Sequence, residues 1–367
     1  MTQLSLKGAA LGVLGLFVAT VLTLTSGAQD DEPLPPPHIP APADDGRPDA
    51  LENADQLACA GCHATIVDEW AGTLHAMAWV DERYQTAMQK KRKPASCQGC
   101  HIPEPIFDGA IGRKLRPRAE TEGPRPDTRA EALAWNPRHF GISCVTCHQA
   151  PDGAMLGPYA SSTEDEISGA HASRQHEAFG GTLANALCIN CHRTNVGPVI
   201  GIAKDFETTR QAEKGLSCVG CHMAPVERSM ASGKDKEGKP WVAPVREGRS
   251  HALQTPRDPV FLAEAFGLDA RRSKVGIDLV VTNQAGHRLP GLRTRSMTFT
   301  VTGYNEAGEA VAQIEREYAS DAYLPVDGVS LISLESTRTI HTVGVRAVHD
   351  WHGVDEPVTF IDERLEL

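Results

Sequence analysis

Apolar positions change their rhythm three times along this chain. Residues 9–24 (AALGVLGLFVATVLTL) form a nearly unbroken apolar run, preceded by Lys7 and followed by Ser26-Gly27-Ala28. A positive start, a short apolar centre and a small-residue exit predict an export signal over residues 1–28. The run falls short of the ~20 residues that span a bilayer, so an uncleaved anchor is the lesser alternative. Residues 29–50 (QDDEPLPPPHIPAPADDGRPDA) are crowded with proline and acid and offer nothing to a core. They predict an extended linker reaching to residue 54, with His38 idle inside it.

A helical rhythm then sets in. Ile66, Trp70, Leu74, Met77 and Ala78 recur at three- and four-residue spacing, which predicts one helix up to about Met88, with Pro94 beyond it. Residues 180–187 and 203–214 also read as helical. Residues 103–138, rich in Pro, Arg and Gly, read as a long loop. After about residue 270 the period becomes two. Ile277–Thr282 and Met297–Tyr304 alternate and are β-branched, Asn305-Glu-Ala-Gly308 predicts a hairpin turn into Val311–Ile314, and Leu331–Val345 supplies one or two further strands. The expected fold class is a mostly α and irregular domain over residues 55–271, followed by a small all-β, sandwich-like domain over 272–367.

All ten cysteines fall into five copies of one pattern. They are Cys59-Ala-Gly-Cys62-His63, Cys97-Gln-Gly-Cys100-His101, Cys144-Val-Thr-Cys147-His148, Cys188-Ile-Asn-Cys191-His192 and Cys218-Val-Gly-Cys221-His222. Cys-x-x-Cys-His is the attachment signature of c-type haem: two thiols add across the vinyl groups and the adjacent histidine ligates the iron. Disulfides, zinc or a thiol redox pair would each use cysteines, but none needs a histidine after every pair. Histidine is 15 of 367 residues. Five chance hits in five therefore have a probability of about one in ten million. The expected cofactors are five covalent haem c groups and their iron. Cys59, Cys62, Cys97, Cys100, Cys144, Cys147, Cys188, Cys191, Cys218 and Cys221 would bind them, with His63, His101, His148, His192 and His222 as proximal ligands. The 55–271 domain thus reads as a pentahaem cytochrome c domain.

Composition fits this picture. Aromatic residues are 5% of the chain, so porphyrins would have to supply much of the core. Net charge is −11, which argues against nucleic acid, whose binders carry a basic footprint. The basic runs Lys90–Lys93 and Arg113–Arg118 read as solvated faces, with a docking patch or propionate partners as the sharper alternative.

Each iron has a second axial position, and ten histidines lie outside the motifs. A second histidine makes an electron-transfer haem; an open position makes a reaction site. The candidate distal ligands are His75, beside the apolar stripe; His251, at the end of the haem region; His171, preferred over His176, which would face another way on a helix; His139, just before the third motif; and His287, in a Gly- and Pro-rich loop between two strands. His341, His349 and His352 are expected at the surface, and Met77 and Met223 as packing.

The chain resembles the multihaem c-type cytochromes related to hydroxylamine oxidoreductase, pentahaem nitrite reductase and the tetrahaem carriers of ammonia oxidisers. Carrying this are Cys59 to His75, with Trp70 five before a histidine followed by Ala76; Gly141-Ile-Ser-Cys144; Cys218-Val-Gly-Cys221-His222-Met-Ala-Pro225; and Ser250-His251. The resemblance implies distal roles for His75 and His251. The Gly286-His287-Arg-Leu-Pro-Gly291 loop resembles one in β-domains appended to multihaem cytochromes, without their usual threonine. All five motifs end in histidine, whereas pentahaem nitrite reductases place a lysine in the catalytic one. That departure points away from ammonia-forming nitrite reduction. No tyrosine is assignable to the crosslink of hydroxylamine oxidoreductase.

Three functions follow as expectations. The first is an exported, periplasmic or extracellular, electron carrier with mostly bis-His haems, serving redox partners such as a quinol-linked membrane complex or a soluble cytochrome. The second is a reductase or oxidase of a small nitrogen or sulfur compound at one open haem. The third is a structural haem subunit of a membrane or cell-surface complex. The first is preferred, and no catalytic residue is assigned.

Overall fold

The computed structural model describes residues 59–90, 95–103, 105–107, 141–160, 171–195, 200–351 and 356–367. The expected signal, the linker, most of the 103–138 loop, nearly all of both basic runs, His139 and His352 lie outside the described residues. Among the described residues no helix is long and apolar enough to cross a membrane.

The helix expected to run to Met88 is two helices, α1 (Ala60–Ala71) and α2 (Glu82–Gln89). Side chains in between offer the backbone a competing set of partners. Thr73 Oγ1 donates to the Trp70 carbonyl at 2.7 Å and accepts from the Ala76 amide at 3.2 Å. Asp81 restarts the helix by accepting from the Tyr84 amide at 2.9 Å. Ala76, Trp79 and Val80 in the intervening turns are buried, so the apolar spacing reported burial rather than one continuous helix.

Short helices follow: α3 (Ala95–His101), α4 (Cys144–His148), α5 (Asn185–His192), α6 (Ile202–Phe206), α7 (Arg210–Glu213) and α8 (Cys218–His222). Strands β1 (Met155–Gly157) and β2 (Ser173–Gln175) pair in parallel. His171 lies just before β2 and His176 caps a 3-10 turn, so neither sits on the expected helix. An arm unforeseen in the sequence comes next. Strand β3 (Pro225–Ser229) pairs with β6 (Val245–Arg249), and β4 (Ser232–Lys234) with β5 (Pro240–Val242) between them. These strands are mostly polar and half-buried, so no clean alternation marked them.

The C-terminal region is rich in sheet. Helix α9 (Pro259–Ala263) leads into β7 (Phe266–Arg272), β8 (Gly276–Asn283), β9 (Arg295–Tyr304), β10 (Ala310–Tyr318), β11 (Val329–Glu335), β12 (Thr342–Trp351) and β13 (Val358–Glu366). One sheet has the order β11-β8-β7 and the other β10-β9-β12-β13. Alternation puts Ile277, Leu279 and Val281 of β8, Met297, Phe299 and Val301 of β9, and Val343, Val345 and Ala347 of β12 into one shared core. Each of these side chains larger than alanine contributes about 1.5–3 kcal/mol by leaving water. Phe299 is a hub, with its ring 5.2 Å from Phe266, 5.5 Å from Tyr318 and 5.9 Å from Phe360. The β9–β10 hairpin turns where expected, with Gly308 at φ 78°. Strand β7 begins before residue 272, where the boundary was expected, and β13 follows the last strand anticipated.

His349 is a correction. It was expected at the surface, yet it is 0% exposed. The alternation that buries Val345 and Ala347 continues four residues past the expected end of the strand, and His349 falls on the inward parity.

Candidate haem centres

Each motif forms a helical turn, kinked at His63 in the first, and that turn explains the spacing. The two cysteines are three residues apart and the histidine four from the first cysteine, so all three side chains share one helix face. All ten cysteines are free thiols in the structure. Four of the five proximal imidazoles are oriented from behind by backbone carbonyls. Nδ1 of His63 lies 2.6 Å from the Met230 carbonyl, that of His101 2.6 Å from Ala78, that of His148 2.7 Å from Leu156 and that of His222 2.7 Å from Gln254. A carbonyl can only accept, so Nδ1 carries the proton and the Nε2 lone pair is left for a metal.

Four of the five proximal imidazoles, here His63, His148, His192 and His222, face a second one. Ring centres are 6.2 Å apart for His63 and His171, 6.2 Å for His75 and His192, 6.1 Å for His148 and His251, and 6.3 Å for His222 and His287. A metal–imidazole bond is about 2.0 Å. With a nitrogen roughly 1.15 Å from its ring centre, two imidazoles sharing one metal would have centres about 6.3 Å apart. The four pairs therefore have the separation that one shared iron requires. The distal rings repeat the proximal pattern: Nδ1 of His251 is 3.1 Å from the Arg249 carbonyl and that of His287 is 2.9 Å from Arg288. His101 differs, since its ring lies flat on Tyr84, with centres 3.7 Å apart. His139, the remaining distal candidate, is outside the described residues.

Residues 58–149 match the family described as cytochrome c554 and c-prime. No curated protein matches the chain. Among solved structures, a penta-heme cytochrome c552 from Thermochromatium tepidum is similar at TM-score 0.58 and 15% identity, over 85% of this chain and 98% of that one. That likeness is one of fold. Together these findings support a multihaem c-type cytochrome. Covalent haem c, its iron and a general electron-transfer role are supported with it.

Burial suits the paired imidazoles to a metal. It pushes His75 down to about 4, with the neighbouring His192, His101 and His222 adding to the shift. His251 is likewise pushed down to about 4, by burial and then by His148. Burial also lowers His287, His148 and His192. A neutral imidazole is the ligating form, so these sites favour the state that a metal needs. Among the described residues no three His, Cys, Asp or Glu side chains converge on one point, as they would at a zinc site.

The motif cysteines also meet across motifs. The thiol of Cys59 contacts that of Cys144, Cys100 contacts Cys191, and Cys188 contacts Cys218. Cys147 lies within the electrostatic reach of both Cys188 and Cys191. The first motif is thus beside the third, the third beside the fourth, and the fourth beside both the second and the fifth.

Several positioning residues escaped the sequence reading. Glu69 of α1 accepts from Arg228 of β3, with Oε2 2.7 Å from Nη2, and from the His251 amide at 2.8 Å. Asp205 of α6 takes Arg288 at 2.6 and 2.7 Å, beside His287. Asn283 is buried, and its Nδ2 donates to the His287 and Pro325 carbonyls at 2.9 and 2.8 Å. Only Asn283 left a trace in the sequence, as a polar residue on the inward parity of β8. Glu69 and Asp205 carry no local signal, because their partners are remote in the chain.

Proposed function

We propose that this chain is an exported pentahaem cytochrome that relays electrons between redox partners. The four facing imidazole pairs carry this reading. Each would close both axial positions of one iron, and a six-coordinate haem passes electrons without binding substrate. In this assignment His171 serves the haem of the first motif, His251 the third, His75 the fourth and His287 the fifth. When bound, each haem supplies one-electron iron chemistry, its potential tuned by axial ligand and burial.

His139 is our assignment opposite His101. Gly141, two residues on, packs against the backbone of His75, Ala76 and Ala78, and Ala78 is the residue whose carbonyl holds His101. Gly141 therefore lies beside the second motif. The sulfur contacts favour a branched relay, running from the first haem through the third to the fourth and dividing there toward the second and the fifth. The β-region, a two-sheet sandwich in this reading, supplies His287 as the cap of the fifth.

Low-temperature electron paramagnetic resonance of the ferric protein tests the assignment. Five low-spin irons are expected. A stoichiometric high-spin iron assigned to the second motif would instead favour a reductase or oxidase of a small nitrogen or sulfur compound at that haem.

A further inference from the structure

At one end of the four-stranded sheet, positive charge gathers around Arg295. The β9–β12 register sets Met297 opposite His349 and Arg295 opposite Trp351, so all four side chains share the inward face. The His349 ring lies 4.7 Å from Trp351, and its Nδ1 is 3.1 Å from the carbonyl of Pro256, the residue before Arg257. His349 is 0% exposed, and its Nε2 has no hydrogen-bond partner. An isolated buried polar atom costs about 1–3 kcal/mol, so it marks a place where a ligand is due.

The arginines give that ligand its sign. Burial, and then the positive charges of Arg257 and Arg83, pull Arg295 down to about 10, so both guanidiniums lie within electrostatic reach of Arg295. Among the described residues no carboxylate bonds to the Arg295 side chain. Arg83 ties the cluster to a particular motif, because the next residue of α2, Tyr84, lies flat on the His101 ring at 3.7 Å. The relayed haems each carry two propionate carboxylates, and an arginine fork matches a carboxylate.

We propose that Arg295, backed by His349, forms an anion-binding site occupied by a propionate of the haem held by Cys97, Cys100 and His101. This rests on the pentahaem reading. The β-region would then hold two haems by different means: the fifth through His287 on its iron and the second through its carboxylate. With an anion alongside, His349 takes a proton on Nε2 and donates through it while Nδ1 stays on Pro256.

The test is a redox titration of the holoprotein carrying Arg295→Gln and, as a gentler change, Arg295→Lys. Intact mass is measured first. Failure of the wild type to carry five haems defeats the underlying reading, not this one. With five haems present, Arg295→Gln is expected to lower one midpoint potential, that of the second-motif haem, because an uncompensated carboxylate favours the ferric state. Arg295→Lys should lower it less, since the charge remains and the fork is lost. If Arg295→Gln does not fold, the Lys variant alone decides. Unchanged potentials, or a shift at another haem, overturn the proposal. So does saturable binding of nitrite or sulfite to the wild type that Arg295→Lys weakens, which would make the occupant a free oxyanion.

Discussion

Arg228 donates from both ends of its guanidinium to Glu69, joining the long arm to helix α1 where only 18% and 12% of the two side chains is exposed. The same carboxylate holds the His251 amide, while the arm presents the Met230 carbonyl to His63. One ion pair therefore steadies groups belonging to two haem sites. Glu69→Gln should cost about 1–3 kcal/mol, since it leaves Arg228 short of a charged partner. Chemical denaturation of the holoprotein checks this.

That pair also sets an acid limb. Burial would raise the Glu69 pKa, but hydrogen bonds from Arg228 and the His251 amide outweigh it and hold it below its ordinary value. A carboxyl depressed on folding stabilises above its unfolded pKa, and the contribution is lost as pH falls through the folded pKa. The wild type should thus lose stability below about pH 4.5 more steeply than Glu69→Gln. Equal slopes in melts from pH 6 to pH 3 would refute the assignment.

The pairings predict which haem each distal histidine serves. His75 follows the first motif closely, yet it faces His192. His75→Ala should make the fourth-motif haem high-spin and leave the first-motif haem unchanged. His171→Ala should do the reverse. Magnetic circular dichroism, with site assignment by crystallography of the variants, separates the two outcomes.

Asp205→Asn should act on the fifth haem without touching it. The forked bond from Arg288 would be halved, loosening the loop that carries His287 against α6. A rise in carbon monoxide binding to one reduced haem is expected. Arg288→Lys should show a similar partial effect, and wild-type behaviour in both variants would show that Asn283 alone holds the loop.

Gly141→Ala should destabilise by about 1–3 kcal/mol. Its φ is 151°, and a Cβ there would collide with the His75 carbonyl oxygen, which also receives the Ile142 amide at 2.9 Å. The effect should appear as a lower melting temperature together with a perturbed fourth-motif haem, since His75 moves with that turn.

What the sequence determined by itself is the local chemistry. Cys-x-x-Cys-His is complete within one helical turn, so its meaning survives without knowledge of the fold. Alternation of period two located β8 and β9, because each strand buries one face. The distal candidates could be proposed one by one, but their partners could not be matched. That matching is made by the turns between α1 and α2, which carry His75 to the fourth motif, and by the loop after β8, which carries His287 to the fifth. The arm of β3 to β6 and the Glu69 and Asp205 ion pairs were equally beyond reach. Each depends on residues far apart in the chain meeting in space, and no local pattern encodes which remote partner a carboxylate, a carbonyl or an imidazole will find.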